Sequence, residues 1–236
     1  MEAIILAGGK GERLSPFTNN CPKGMVKIEG RPILEYQIEW LKKHNIKKII
    51  FACGHLSNII QDYFSDGKRF DVKIEYSIEK EPLGRGGAIK RAWEKIQNKE
   101  PIIVLNGDIY TEMNLSNVIK EHNSKKNESA VIATICLFPY KSPYGIIRLN
   151  GNGLVESFEE KRTLPYWVNG GIYVFEYEVK KHLPEIGEHE TTTFPLLAKK
   201  GSLFGYKSLD YWKGIDTVKD LNEFAFDKRS VLLQAK

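Results

Sequence analysis

Apolar positions along the 236-residue chain fall into two regimes. Up to about residue 124, short apolar runs alternate with segments of helical period. Residues 3–7 read as a buried strand. Pro32 suits the first turn of a helix in which Ile33, Leu34, Ile38 and Leu41 share one face. Residues 48–53 predict a second strand, stopped by Gly54. Residues 57–64 predict a helix with Ile60 and Phe64 four apart, and residues 72–76 alternate as a third strand. Residues 87–97 place Ile89, Trp93 and Ile96 on one helical face. Residues 102–105 form the continuous apolar run expected of a strand buried on both faces. A further helix is predicted over 115–122. This βαβα order implies a largely parallel sheet covered by helices.

Beyond residue 128 the pattern changes. Residues 130–138 predict a long strand. Residues 144–149 and 154–158 flank Asn150-Gly151-Asn152-Gly153, a hairpin turn signal. Residues 167–175 read as a strand interrupted by Gly170-Gly171. Residues 216–226 predict a closing helix with Leu221, Phe224 and Ala225 inward, and Thr217 and Asp220 have capping-box spacing. Without a linker, low-complexity tract or repeat, the expectation is one domain over 1–236. Its half 125–236, richer in antiparallel strands, packs onto the sheet begun by the half 1–124.

Composition narrows the function classes. The chain is 42% hydrophobic and 28% charged, ordinary for a soluble globular protein, and its net charge is +5. Basic residues are scattered as in Lys42-Lys43, Lys47-Lys48 and Lys125-Lys126, which predicts solvated faces and no nucleic-acid groove. Cys21, Cys53 and Cys136 are far apart and match no zinc spacing, so a reducing, cytoplasmic setting is expected. The N-terminus reads as a strand and not as a signal peptide, and no apolar run approaches a membrane span. His44, His55, His122, His182 and His189 are expected as exposed polar residues in helices or loops, with no nucleophile beside them.

Chemistry concentrates where the first strand ends. Gly8-Gly9-Lys10-Gly11-Glu12-Arg13 follows the apolar run, and Lys23 follows Pro22. A glycine-rich turn bares backbone N–H groups, and two nearby cations point to a polyphosphate. Leu14 occupies the third glycine position of the dinucleotide fingerprint, and the Walker pattern is absent. Arg13 offers a planar fork suited to phosphate oxygens. Asp108 follows the run 102–105 across Asn106-Gly107. That puts a carboxylate at the carboxyl end of a central strand, where ligands of open α/β sheets bind. The small Gly107 is expected to let the ligand approach.

These residues resemble a known family. Leu6-Ala7-Gly8-Gly9-Lys10-Gly11-Glu12-Arg13-Leu14, then Pro16, Thr18 and Pro22-Lys23, are similar to the N-terminal signature of sugar-1-phosphate nucleotidyltransferases. The likeness continues through Glu81-Pro82-Leu83-Gly84-Arg85-Gly86-Gly87-Ala88, Leu105-Asn106-Gly107-Asp108, Tyr144-Gly145, Phe158-Glu159-Glu160-Lys161 and Asn169-Gly170-Gly171-Ile172-Tyr173. It implies a Rossmann-like three-layer α/β/α fold with a mixed, mostly parallel sheet. The segments 76–84 and 157–161 look most like guanylyltransferases acting on mannose-1-phosphate or manno-heptose-1-phosphate.

The resemblance also implies roles. Leu6, Ala7, Gly8, Gly9, Gly11 and Gly107 would cradle the nucleotide, with Glu81, Pro82 and Gly84 at the base. Arg13 and Lys23 would hold the phosphates, and Asp108 with Asp216 would bind Mg²⁺. Gly145, Glu160, Lys161, Asn169 and Gly170 would take the sugar phosphate. The implied substrates are a nucleoside triphosphate, GTP favoured, and a sugar-1-phosphate. Two positions depart from the family pattern. Gly214 stands where many members carry an acid, and Arg85 stands where Thr is usual. Thymidylyl-, uridylyl- or cytidylyl transfer, and a non-catalytic nucleotide-sugar sensor, remain as alternatives. No hexapeptide repeat is present, so the catalytic domain alone, without a C-terminal β-helix, is expected. A homo-oligomer stays open.

Overall fold

Alternating burial starts the central sheet: in β1 (Ala3–Leu6), Ala3 and Ile5 pack on one face and Ile4 on the other. The computed structural model describes residues 1–234. After β1 come the short strands β2 (Lys27–Ile28) and β3 (Arg31–Pro32), then α1 (Ile33–Lys43), β4 (Lys48–Cys53), α2 (Ser57–Phe64), β5 (Lys73–Ile78), α3 (Gly84–Ala92), β6 (Ile102–Asn106), β7 (Ile109–Thr111) and α4 (Leu115–Glu128). The second half adds β8 (Ala133–Lys141), β9 (Ile146–Leu149), β10 (Val155–Glu159), β11 (Thr163–Phe175), α5 (Thr193–Lys199), β12 (Leu203–Lys207), β13 (Trp212–Gly214) and α6 (Val218–Gln234).

Seven strands form one mixed sheet in the order β12-β8-β11-β6-β1-β4-β5. β1 runs parallel to β4 and β6, β4 to β5, and β12 to β8, while β11 is antiparallel to both its neighbours. Because successive side chains point to opposite faces, the sheet carries two cores. One is closed by Leu34 and Ile38 of α1, Ile60 and Phe64 of α2, and Leu115 and Val118 of α4. The other is closed by Ile89 and Ala92 of α3 and Phe194 and Leu197 of α5. This is the expected three-layer α/β/α architecture with a mostly parallel sheet.

A third, smaller core positions the site. Leu14, Val26, Ile28 and Ile33 from the N-terminal region pack with Ile215, Leu221 and Phe224 near the start of α6. Thr217 and Asp220 complete the expected capping box: the Asp220 N–H donates to Thr217 Oγ1 at 3.2 Å, and Asp220 Oδ2 accepts from the Thr217 N–H at 2.9 Å. β13 pairs antiparallel with β7, opposing Gly214 to Ile109, and the Ile215 N–H donates to the Asp108 carbonyl at 2.8 Å. Two segments a hundred residues apart in sequence thereby meet at the carboxyl end of β6.

Several expectations are corrected. The helix expected over 87–97 begins earlier, at Gly84, and ends in a 3-10 turn, Trp93–Lys95. The hairpin forms, with Asn150 Oδ1 accepting from the N–H groups of Asn152 and Leu154. However, β9 and β10 make a separate two-stranded sheet and do not join the central one. His122 and His189, expected to be exposed, are fully buried. His122 lies between Thr134 Oγ1 at 2.7 Å and Glu176 Oε1 at 3.1 Å. His189 sits edge-on against the rings of Tyr173, Phe175 and Phe194, with Glu190 Oε2 3.1 Å from its Nδ1 as its one charged neighbour among the described ion pairs.

Burial, aided by the charge of Arg85, pushes the His189 imidazole down to about 3. The folded state therefore holds it neutral, while the unfolded chain takes up a proton below its ordinary value of ~6.5. Stability from this group is intact above that pH and is lost as pH falls toward 3. The slope is ~1.4 kcal/mol per pH unit, so pH 4.5 should cost about 2–3 kcal/mol relative to neutrality. Urea unfolding of the parent and of His189→Leu at both pH values should show the smaller acid penalty in the variant. Equal penalties would contradict the assignment.

Candidate functional site

The loop after β1 is shaped by contacts that leave no room for side chains. Gly11 has φ +68°, and a Cβ there would lie 2.9 Å from Lys23 Cβ. Thr18 Oγ1 donates to the Gly11 carbonyl at 2.8 Å. The loop is thus folded against the 3-10 turn Lys23–Met25, which presents Lys23. Gly107 is glycine for a related reason. Its N–H donates to the Leu6 carbonyl at 2.8 Å, and a Cβ would lie 2.3 Å from that oxygen. The small residue lets β1 and the loop after β6 approach.

Four charged side chains converge there. Lys23 Nζ donates to Asp108 Oδ2 and, at 2.6 Å, to Asp216 Oδ1. Arg13 Nη2 donates to the same Asp216 oxygen at 2.8 Å. The Lys23 side chain is mostly buried and Arg13 is largely exposed. The structure therefore unites Arg13, Lys23, Asp108 and Asp216, four residues singled out from the sequence. Asp216 brings a second carboxylate to the cluster, and Gly214 lies beside it.

A two-lobed cleft surrounds this cluster. The larger lobe, about 660 Å³, includes Gly9, Gly11, Arg13, Asn169, Gly170 and Asp216 in its lining. The smaller lobe, about 270 Å³, is lined by Leu6, Ala7, Gly8, Pro82, Gly84 and Gly107, among others. Gly9, Lys23, Arg85, Asn106 and Asp108 line both and mark the junction. Asn169 is held in place: its Oδ1 accepts from the Gly171 N–H and its Nδ2 donates to Tyr173 Oη, both at 2.9 Å. Burial pushes the Tyr173 hydroxyl well above the usual phenol range.

Some expected residues do not line these two lobes. Glu81 is exposed and lines neither lobe. Gly145, Glu160 and Lys161 are also absent from the cleft lining. Gly145 packs beside Phe158 and Glu160, and Lys161 faces Glu223 of α6 at 3.8 Å. Lys161 instead lines a neighbouring pocket that shares Trp212, Gly214 and Asp216 with the larger lobe. Arg85 does reach the cleft, where its Nε lies 2.5 Å from Glu188 Oε2 and its Nη1 lies 2.7 Å from Glu190 Oε1.

Lining residues given no role from sequence include Glu79, Asn106, Glu188 and Trp212. Glu79 follows β5 and Asn106 ends β6, so the rule that ligands gather at the carboxyl ends of parallel strands points to both. Glu188 and Trp212 carry no comparable local signal. Trp212 stacks on Phe138 with ring centroids 5.1 Å apart and donates from Nε1 to the Gly170 carbonyl at 2.8 Å.

Chemically, the cleft offers glycine backbone, a lysine, an arginine and two adjacent carboxylates. Burial raises all three thiols, Cys21, Cys136 and, with Glu79 nearby, Cys53, which is pushed up to about 12. The carboxylate pair fits a magnesium ion, a hard cation that takes one or two carboxylates and completes its shell with phosphate oxygens and water. Among the described residues, no group of three or more His, Cys, Asp or Glu is placed to hold a metal, and this set does not need one.

Known proteins share this arrangement of sequence and fold. A Synechocystis relative named UTP–glucose-1-phosphate uridylyltransferase is 34% identical over 241 residues, spanning 93% of this chain and 61% of that one. A Campylobacter jejuni relative named D-glycero-alpha-D-manno-heptose 1-phosphate guanylyltransferase is 39% identical over 180 residues, spanning 76% and 77%. The chain thus spans about three fifths of the first relative's length. The crystal structure of HddC from Yersinia pseudotuberculosis complexed with GMP-PN is 27% identical, with TM-score 0.75 over 96% of this chain and 98% of that one. The nucleotidyl transferase family matches residues 2–230, nearly the full length, and the chain belongs to that family.

Proposed function

We propose that this chain transfers a nucleotidyl group from a nucleoside triphosphate to a sugar-1-phosphate, with GTP favoured and a mannose- or manno-heptose-1-phosphate as acceptor. The observation that carries the proposal is the junction of Arg13, Lys23, Asp108 and Asp216, set beside a glycine loop between two lobes. A phosphate oxygen of the sugar-1-phosphate attacks the α-phosphorus, the bond to the β-phosphate oxygen breaks, and pyrophosphate leaves. Both reactants are anions. The rate therefore depends on positioning and on cations that gain contact strength as charge moves to the leaving group. Arg13 and Lys23 are those cations, and the bared N–H groups of Gly8, Gly9 and Gly11 steady the phosphates. Mg²⁺ held by Asp108 and Asp216 would supply further charge neutralisation on the phosphates.

The two lobes divide the rest of the work. Pro82, Gly84 and the apolar Leu6, Ala7 and Ala52 make the smaller lobe suitable for a base. Asn169 and Gly170 place a donor, an acceptor and close backbone in the larger lobe, for the sugar phosphate. The guanylyl reading is supported by the guanylyltransferase activity for which the Campylobacter relative is named and by the GMP-PN complex of HddC. The Synechocystis relative makes uridylyl transfer the competing outcome.

Pyrophosphate release with each nucleoside triphosphate against glucose-, mannose- and manno-heptose-1-phosphate tests the proposal. The highest kcat/KM should fall to GTP with a manno-configured acceptor. Turnover with another base would reassign the nucleotide, and no turnover with any pair would remove the activity.

A further inference from the structure

We infer that Arg85 holds the α-phosphate of the nucleotide during transfer, as a cation separate from the Arg13–Lys23 cluster; this rests on the nucleotidyl transfer proposed above. With a base in the smaller lobe and a sugar phosphate in the larger, the phosphorus that changes partners lies where the lobes meet. Among the described residues, Lys23 and Arg85 are the cations that line both lobes, and Asp108 lines both beside them. Lys23 is mostly buried and already donates to Asp108 and Asp216. Arg13 lines the larger lobe but not the smaller one. Arg85 stays half exposed although two carboxylates bracket it.

The local sequence explains its placement. Arg85 is the second residue of α3, between glycines that let a distant loop come close. Gly84 has φ +70°, and a Cβ there would lie 2.7 Å from the Gly187 carbonyl oxygen. That oxygen accepts from the Gly86 N–H at 2.8 Å, and the Gly187 N–H donates to the Leu83 carbonyl at 2.7 Å. The loop so held carries Glu188 and Glu190. Arg85 Nε donates to Glu188 Oε2 at 2.5 Å. Nη1 faces Glu190 Oε1 at 2.7 Å but is not aligned to donate to it. Among the described residues, neither Nη1 nor Nη2 donates a hydrogen bond. An arginine that served only to tie the loop to α3 would spend these nitrogens on its carboxylates. The Tyr173 hydroxyl, which anchors Asn169, feels the charges of Arg85, Glu190 and Asp108 together, so the guanidinium stands close to the sugar side as well.

A guanidinium is a planar fork whose paired N–H groups match two oxygens of a phosphate. As the acceptor oxygen closes on the α-phosphorus, the non-bridging oxygens need donors that are already in place. Glu188 and Glu190 fix the fork before substrate arrives, so its alignment costs little during the reaction.

The test follows kcat/KM for the purified chain with GTP and with each diastereomer of GTPαS, in which sulfur replaces one non-bridging α-oxygen. UTP and UTPαS take their place if the parent prefers UTP, and the acceptor is the sugar-1-phosphate it turns over best. Arg85→Gln should lower kcat/KM for the oxygen nucleotide by about 10²-fold. The penalty for sulfur should shrink by about 10-fold for one diastereomer and stay unchanged for the other, because one oxygen has lost its donor. Arg85→Lys keeps a cation between the two carboxylates, should unfold within a few degrees of the parent, and should show the same selective loss to a smaller degree. Sulfur penalties that match the parent's for both diastereomers in both variants would overturn the inference. Lower thermal stability with those penalties unchanged would reduce Arg85 to a brace for the loop at Gly187. A parent inactive with every nucleoside triphosphate would instead overturn the nucleotidyl-transfer reading, and the inference with it.

Discussion

Asp108→Asn is expected to fold like the parent and to lose on the order of 10³-fold in kcat for nucleotidyl transfer. The fold should survive because the backbone at this position is held independently of the carboxylate. The Asp108 carbonyl accepts from the Ile215 N–H, and Gly107 is bonded to Leu6. What is lost is one negative charge at the junction of the lobes and one of the two acids that share Lys23. The neutral amide is a poor ligand for a hard dication, and its NH₂ turns a donor toward the Lys23 ammonium or the phosphates. The deficit should fall on kcat more than on nucleotide affinity, because charge neutralisation matters most as pyrophosphate departs. Thermal unfolding, nucleotide titration and pyrophosphate release, measured on one preparation, separate these terms. A loss under 10-fold would remove Asp108 from the chemistry. A parent that binds nucleotide sugars tightly but has no rate to lose would restore the sensor reading.

The parts of the fold that were legible in sequence are those with strong local patterns. β4 and α2 have the expected bounds because an apolar run stopped by Gly54 and a pair spaced by four have few competing readings. Asp108 was legible because strand, glycine and acid are contiguous. Burial by distant elements was not legible. His122 is enclosed by Thr134 and Glu176, and His189 by rings of β11 and α5, none of them adjacent in sequence. The same limit explains the sugar-side residues. Glu160 and Lys161 lie in a turn between β10 and β11, and only the fold shows that Lys161 lines a pocket that borders Asp216 and does not line the cleft itself. Glu81 and Glu79 show the limit on a smaller scale. They are two residues apart, and only the geometry at the end of β5 shows which one lines the cleft.

Asp216→Ala is expected to cost about 10²-fold in kcat, and adding Gly214→Asp should recover about a tenfold part of that loss. Asp216 Oδ1 alone meets both cations, Lys23 at 2.6 Å and Arg13 at 2.8 Å. Its removal frees Arg13 and leaves Lys23 paired only with Asp108. The place of the acid, more than its sequence position, is what the chemistry requires. β13 pairs Gly214 with Ile109, so residue 214 lies on the ribbon that brings this segment to Asp108. A Cβ on Gly214 would be 3.9 Å from Asp216 Oδ2 and 3.6 Å from the Trp212 ring, ordinary contacts that admit a side chain. An Asp there starts beside the point its neighbour's carboxylate now occupies. Rescue by the double variant, with Arg13 and Lys23 intact, would show that the chain has moved its second acid by two residues while keeping the same charge cluster. A double variant no better than Asp216→Ala would tie the function to the exposed geometry of Asp216 itself. A single variant within threefold of the parent would leave Asp108 as the one acid the reaction uses.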